Sequence, residues 1–305
     1  MGGVSIDPPR QPPPVAPPQA PPPGGWPIPA GAPPAPRPRR WLVAVAAAWA
    51  VVLLVLAYVS TRTDEPTVRE QRGMADAGPH ADRVIGELVA AGGTDVVAQL
   101  TPIRYRTGCR ITPIRSGATL ERGVAFRTTE ADAPALLDRI ADRLPPAWRA
   151  GTRHSEGGTV HSLRADAGDF VGVRGGVTSP GLITLTVTTG CRPTSADYDP
   201  LVHLMGRLPV DDEPDRVLGA LGLTAAGAGD RLSAVCPRGG LVHTAWATGT
   251  GTPTGPLGEA LAEVRPADAV VVTDAPDGYA YRAGDTAVEV RVVDGEVRAT
   301  VTIGC

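Results

Sequence analysis

Hydrophobic residues are concentrated in one uninterrupted run, nineteen residues at positions 41–59 that include no charged side chain. An α-helix rises about 1.5 Å per residue, so this run is long enough to cross the roughly 30 Å hydrocarbon core of a bilayer. Three of the four residues before the run are arginines, whereas one arginine and two acidic residues follow it. The positive-inside rule therefore predicts one transmembrane helix over residues 41–60, with the N-terminus in the cytoplasm.

A cleaved signal peptide is the main alternative to this membrane anchor. The apolar region of a signal peptide is usually about 7–15 residues long and ends at a small-x-small cleavage site. Here the run is longer, forty residues precede it, and Ala57-Tyr58-Val59 is a poor cleavage site. We therefore predict an uncleaved signal anchor in the cell membrane, with the chain after residue 60 extracytoplasmic.

Alternating apolar and polar residues predict antiparallel hairpins in the C-terminal part. Valines alternate with charged residues over 288–292, Asp294-Gly295 is a two-residue turn signal, and the alternation resumes over 297–303. A similar hairpin is predicted at 183–188, after a turn at 179–181. We expect one face of each hairpin to be buried and the other to face water. The polar positions expected to face water are Thr184, Thr186, Thr188, Glu289, Arg291, Arg298, Thr300 and Thr302.

Two short segments have helical periodicity. Apolar residues share one face over residues 135–144 and again over residues 257–264. The residues on these faces are Leu136, Leu137, Ile140 and Leu144 in the first segment, and Leu257, Leu261 and Val264 in the second.

The region after residue 80 repeats itself in outline. Asp82-Arg83-Val84-Ile85-Gly86 is echoed by Asp215-Arg216-Val217-Leu218-Gly219, and the pattern Val-Thr-x-Gly-Cys occurs at 187–191 and again at 301–305. A helix and a hairpin follow in the same order in each copy. We therefore predict an α+β fold with two similar, disulfide-stapled modules, residues 81–205 and 206–305, joined to the membrane helix by a linker at 61–80.

All four cysteines follow the apolar run. An even number of cysteines on an oxidising side of a membrane predicts two disulfides. Zinc ligands usually occur in close pairs, which the wide spacing of these cysteines does not provide. Spacing alone permits three pairings, but the duplication favours pairing within each module. The predicted disulfides are Cys109 with Cys191 and Cys236 with Cys305.

The N-terminal tail, residues 1–40, contains 16 of the 33 prolines. Proline fixes φ and removes a backbone donor, so we expect this proline-rich tail to be disordered and to sample polyproline II. Its PxxP spacings could recruit a cytoplasmic protein with an aromatic-lined groove, but a simple spacer explains them equally.

Composition narrows the class of protein. The tail carries a net charge of +3 and the whole chain −3, which leaves −6 for the remainder and argues against a nucleic-acid partner. All 29 basic residues are arginine, and Ala, Gly, Pro and Val are abundant. In composition and layout the chain resembles single-pass envelope proteins of actinobacterial type. This resemblance includes no named family and no catalytic motif.

Sequence motifs for known chemistry are missing. There is no Gly-x-Ser-x-Gly, His-Glu-x-x-His, phosphate-binding loop or Cys-x-x-Cys. His154, Ser155 and His161 fall in a Gly/Thr-rich stretch predicted to be a strand pair, and His203 and His243 occur in Leu-Val-His runs typical of strands. The acidic run at 211–215 lacks calcium-loop spacing and is better explained as favourable charge at a helix N-terminus.

These observations predict no catalytic residue, no cofactor and no metal ligand. We expect a non-enzymatic extracytoplasmic domain that binds or senses a ligand, or assembles with a protein partner. One alternative is a transmembrane relay in which the proline-rich tail recruits a cytoplasmic partner. A second alternative is an extracytoplasmic enzyme without a recognisable motif.

The topology can be tested on intact cells. Added protease should remove the part of the chain beyond the membrane helix and spare the tail, because the arginines before the helix hold the tail inside. Carbonate washing should leave the full-length protein in the membrane pellet. A soluble form that begins near residue 60 would show signal-peptide cleavage and refute the anchor.

Overall fold

The computed structural model describes residues 40–63, 73–112, 115–155, 157–158, 160–195, 198, 212–226 and 230–305. The predictions for the proline-rich tail, for His203 and for the first residue of the acidic run lie outside these residues.

The apolar run forms helix α1 (Arg40–Thr63). Within the described residues, α1 is the one helix whose length and composition suit it to cross a membrane. Every residue of α1 up to Val59 is exposed. Together with disulfides in the rest of the chain, this helix is consistent with a single-pass membrane protein.

Residues 65–305 form a separate compact unit of α+β type. Its described helices are α2 (Met74–Gly92), α3 (Ala133–Arg143), α4 (Glu213–Ala220) and α5 (Leu257–Ala260), with a 3-10 turn at Pro146–Trp148. Helix α2 begins at Met74, inside the range predicted to be a linker, and the Met74 side chain is buried.

The strands form two sheets. The first contains β1 (Val97–Thr112), β2 (Arg115–Arg127), β3 (Gly151–His154), β4 (His161–Asp166), β5 (Gly172–Ser179) and β6 (Leu182–Thr188). The second contains β7 (Asp230–Val235), β8 (Leu241–Thr250), β9 (Val270–Ala275), β10 (Gly278–Ala283), β11 (Thr286–Val293) and β12 (Glu296–Ile303).

Both sheets are six-stranded and antiparallel, and they share one strand order. The orders are β1-β2-β6-β5-β4-β3 and β7-β8-β12-β11-β10-β9. In each half a helix precedes the first strand and another separates the second strand from the third. The disulfides are Cys109–Cys191 and Cys236–Cys305, the predicted pairing. Cys109 lies in β1 and Cys236 directly follows β7. Their partners, Cys191 and Cys305, follow β6 and β12.

Helices α2 and α3 supply most of the helical side chains in the largest core. The four residues predicted to share a face of the first helical segment are all buried in it. The second helical segment is shorter than predicted: α5 ends at Ala260, and turns continue the chain. Leu257 and Leu261 are nevertheless buried, and Val264 packs against them as a partly buried side chain.

The prediction of one wet face per hairpin is wrong for the hairpin β11–β12. Glu289, Thr300 and Thr302 are buried. Side chains of α4 and α5 cover one face of the second sheet, whereas β1 and α2 of the first half pack against the other. In the first hairpin the pattern holds more closely, because Ile183, Leu185 and Val187 are buried and the threonines of β6 are partly exposed.

Polar groups on the covered face of the second sheet are hydrogen-bonded. The Leu100 N–H of β1 donates to Thr244 Oγ1 at 3.0 Å, and Thr244 also shares a hydrogen bond of 2.8 Å with Thr302. Glu289 accepts hydrogen bonds from Gln99 at 2.5 Å and from Arg127 at 2.6 Å. These bonds offset the cost of removing the groups from water.

A buried ion pair connects α2 to both sheets. Arg122 of β2 is 2% exposed and contacts the carboxylate of Asp82 on α2. Its Nη2 donates to the Ser233 carbonyl of β7 at 2.6 Å, and Asp82 accepts from the Val235 N–H at 3.3 Å. Burial lowers the pKa of Arg122 to about 10, so the guanidinium stays charged at neutral pH.

Removal of one partner of this ion pair should destabilise the domain. Asp82→Ala leaves the Arg122 charge buried without a counter-ion, which typically costs about 3–5 kcal/mol. Asp215, the corresponding residue of the repeated motif, is exposed in the first turn of α4, so Asp215→Ala should cost less than about 1 kcal/mol. Denaturant unfolding of the two full-length variants gives both values. Equal losses would show that the ion pair does not stabilise the contact between the sheets.

The two glycines of the repeated motif provide a second matched pair. A Cβ at Gly86 would collide with the Val235 carbonyl, whereas a Cβ at Gly219 meets open space. Gly86→Ala should therefore destabilise the domain by about 1–3 kcal/mol through overpacking. Gly219→Ala should be neutral or stabilising by up to about 1 kcal/mol, since alanine favours helix. Thermal melting of both variants tests this, and a neutral Gly86→Ala would contradict the close packing of α2 on β7.

Candidate functional site

A cleft of about 720 Å³ opens where the C-terminal end of α2 meets the turn between β7 and β8. Its ionisable lining side chains are one acid, Glu87, and three arginines from separate elements. Arg143 is the last residue of α3, Arg238 lies in the β7–β8 turn, and Arg282 belongs to β10. The disulfide Cys236–Cys305 completes one wall. The cleft thus has a surplus of positive charge.

Arg282 is the most buried of these arginines, with 4% of its surface exposed. Its Nε–H donates to the Gly284 carbonyl at 3.0 Å. Burial lowers the pKa of Arg282, while Asp285 and Asp95 act in the opposite direction. Within the described part of the chain, its Nη groups have no hydrogen-bond or ion-pair partner, so four N–H donors remain for a ligand.

The two rim arginines differ in their attachments. Arg143 donates to the Ala91 carbonyl at 3.2 Å, so it also caps the exposed carbonyls at the end of α2. Arg139, one turn earlier in α3, serves the fold instead. It donates to the Gly92 carbonyl and forms two hydrogen bonds with Asp95. Arg238 is exposed and has no ion pair among the described residues. Arg143 and Arg238 can therefore both turn toward an anion.

Guanidinium groups bind carboxylates and phosphates through paired N–H donors. Three of them line the cleft together with the single acidic side chain of Glu87, so its side chains carry a net positive charge that suits an anion. Sequence reasoning did not find it, because the three arginines are separated by 95 and 44 residues and join only in the folded domain. The sequence offers one hint of the cleft. Arg282 is a charged residue that directly follows the buried residues Tyr279–Tyr281 of β10.

A second cluster forms around two histidines. His154 of β3 pairs with His161 of β4, as expected for a strand pair, and their Nδ1 atoms are 2.6 Å apart. His154 Nε2 lies 3.0 Å from Asp138 Oδ1 of α3, and His161 Nε2 lies 2.9 Å from the Gly158 carbonyl. The sequence did not predict that these two histidines would meet or that Asp138 would join them.

Asp138 is held in place by a second hydrogen bond. The Thr152 hydroxyl donates to Asp138 Oδ1 at 2.5 Å. This bond, followed by the one from His154, lowers the pKa of Asp138, so the carboxylate stays ionised at neutral pH. The Ser155 hydroxyl accepts from the Val160 N–H at 3.0 Å and thereby closes the β3–β4 turn.

The remaining candidates from the sequence lie apart from these sites. His243 is a partly exposed residue of β8, opposite Ser233 and Ile303 in neighbouring strands. Glu213 in the first turn of α4 pairs with Arg216 at 2.8 Å, in keeping with the helix-terminus interpretation of the acidic run. All four cysteines are in disulfides. The described residues contain no group of three or more His, Cys, Asp or Glu side chains placed to hold a metal ion.

No protein family model matches the sequence, and a comparison with curated proteins found no match. The functional proposals therefore rest on the geometry of this chain's own residues.

Proposed function

We propose that this chain is a single-pass membrane protein of type II topology whose extracytoplasmic domain binds an anionic ligand in the arginine-lined cleft. The orientation is supported by the arginines before α1 and by the disulfides in the part of the chain after it. The binding role is supported above all by the buried Arg282, whose Nη groups have no partner among the described residues.

Burial of a guanidinium with one hydrogen bond is unfavourable unless something else compensates for the lost water. The Nη atoms of Arg282 are not among the buried atoms that lack a partner, so they reach the solvent of the cleft. A bound anion would displace that water and accept the Nη–H donors of Arg282, while Arg143 and Arg238 approach from the rim.

The cleft also limits the class of ligand. Its volume of about 720 Å³ lies in the range of small-molecule sites, roughly 300–1,000 Å³. Its apolar lining is small, mainly Val89, Ala90, Ala91 and Pro237, so a polar ligand fits better than a lipid. We infer a compact solute that carries a carboxylate or a phosphate.

We also infer that the two halves of the domain arose by internal duplication. Their shared strand order, helix positions and disulfide placement support this origin. The copies then acquired different roles. The first copy's Asp82 and Gly86 contact the second sheet, whereas Asp215 and Gly219 face away from such a contact.

The test compares Arg282→Met with the wild-type full-length protein in detergent micelles. Melting is followed with inorganic phosphate, with succinate and with chloride at constant ionic strength. Wild-type protein should gain stability with phosphate or succinate, because a ligand that binds only the folded state stabilises it. Arg282→Met should lose that gain. In chloride it should melt at the same temperature or higher, because replacing a poorly paired buried charge by an apolar side chain is often neutral or stabilising.

Arg291→Gln is the control variant, since Arg291 is exposed on β11 and does not line the cleft. It should keep the anion-dependent gain. A lower melting temperature of Arg282→Met in chloride, with an unchanged gain in phosphate, would instead make Arg282 a structural residue and refute the binding site.

A further inference from the structure

We propose that the outer edges of the two sheets pair between copies of this chain, so that β3 of one molecule lies alongside β9 of the next. β3 ends the strand order of the first sheet, and β9 ends that of the second. The opposite edges, β1 and β7, contact the other half of the same domain. The proposal is independent of the arginine-lined cleft, because neither β3 nor β9 lines it.

Both outer edges offer backbone groups to another strand. Within the described residues, β3 forms a ladder only with β4 and β9 only with β10, and neither strand makes a further backbone–backbone hydrogen bond. In an antiparallel ladder, alternate residues direct their N–H and C=O groups away from the partner strand. All residues of β3 and β9 are at least partly exposed. Such an edge is a template for pairing with a second chain.

The middle of the β9 edge is apolar. Val270 and Val271 are 52% and 40% exposed, and no charged residue occurs over 269–273. A mostly apolar groove of about 550 Å³ continues from the end of the strand, with Pro253, Pro256 and Val292 among its lining residues. An added strand gains affinity from its backbone hydrogen bonds, and neighbouring pockets can accept its side chains. The β9 edge and this groove together provide both.

Acidic residues flank the apolar part of the β9 edge. Asp268 precedes β9, Asp274 lies near its end, and Asp277 follows in the turn to β10, and all three are exposed. None of them has an ion-pair partner among the residues that the structure describes. Arg265 is the one basic residue over 258–281, and its guanidinium donates to the Tyr279 hydroxyl. The β9 edge is therefore negatively charged.

The β3 edge has the opposite charge. Arg153 of β3 and Arg164 of the neighbouring strand β4 are exposed, and so is Arg149 just before β3. In the part of the chain that the structure describes, none of these arginines has an ion-pair partner. Asp138 of α3 is already bound by the Thr152 hydroxyl. The arginines are thus available to acidic side chains of another molecule.

These charges select one pairing of the three that two open edges allow. Two β9 edges would bring aspartates together, and two β3 edges would bring arginines together. Like charges on adjacent strands are destabilising, whereas opposite charges stabilise the pair. Pairing of β3 with β9 therefore has the favourable electrostatics. Because the contact joins two different surfaces, each molecule keeps a free edge, and the assembly can grow beyond a dimer.

Charge reversal tests the pairing in the full-length protein in detergent micelles. The β9 variant is Asp268→Arg/Asp274→Arg, and the β3 variant is Arg153→Glu/Arg164→Glu. Sedimentation velocity of the wild type should show species that grow with protein concentration and shrink in about 0.5 M NaCl, because salt screens exposed charges. Each variant alone has like charges on its two edges and should lose this growth. An equimolar mixture of the two variants should regain it, since each then meets an edge of opposite charge.

The control variant is Arg291→Glu/Arg298→Glu, which reverses two exposed arginines on β11 and β12 and changes the net charge as much as the β3 variant does. It should assemble like the wild type. Amide hydrogen exchange should slow in β3 and β9 of the assembled wild type. The proposal is overturned by a wild type that does not assemble, by growth in either variant alone, or by assembly without protection of these strands. A mixture that fails to assemble, although both variants melt like the wild type, overturns it as well.

Discussion

The domain depends on the burial of both faces of its second sheet. Helices α4 and α5 are eight and four residues long and cover one face, with Leu218 and Leu257 among their contacts. The opposite face packs on the first half, where Leu232, Ala234 and Val242 enter the core formed by α2 and α3. The two sheets therefore share one hydrophobic core, in addition to the core that the second half forms with its own helices.

This shared core explains the polar groups buried between the halves. β1 is an edge strand of the first sheet, and an uncovered edge exposes N–H and C=O groups that invite pairing with other chains. The second sheet covers the first residues of this edge and binds their polar groups, as in the hydrogen bond from Leu100 to Thr244. Glu289 and Arg122 add charged contacts that fix how the halves meet. Hydrophobic contact alone would not specify that arrangement, because it is non-directional.

The sequence predicted those features that depend on local pattern. Three such features can be read directly from the sequence: the length of the apolar run, the alternation in β6, β11 and β12, and the count and order of the cysteines. Alternation shows which residues share a face but not what covers that face, so the burial of Glu289 and Thr302 could not be predicted. The arginine-lined cleft and the pair His154–His161 depend on contacts between separate elements, which no local pattern contains.

Two halves with the same strand order do not present the same site. In the first half, Cys109 is a partly exposed residue of β1, flanked by the exposed residues Gly108 and Arg110. In the second half, Cys236 is buried and lies against α2, because Gly86 allows the helix to approach β7 closely. The same topological position is thus a partly exposed disulfide in one half and a wall of the cleft in the other. The cleft is lined by Arg143 of the first half and by Arg238 and Arg282 of the second, so a mutation that loosens the contact between the halves should impair the proposed anion binding even when every arginine is retained.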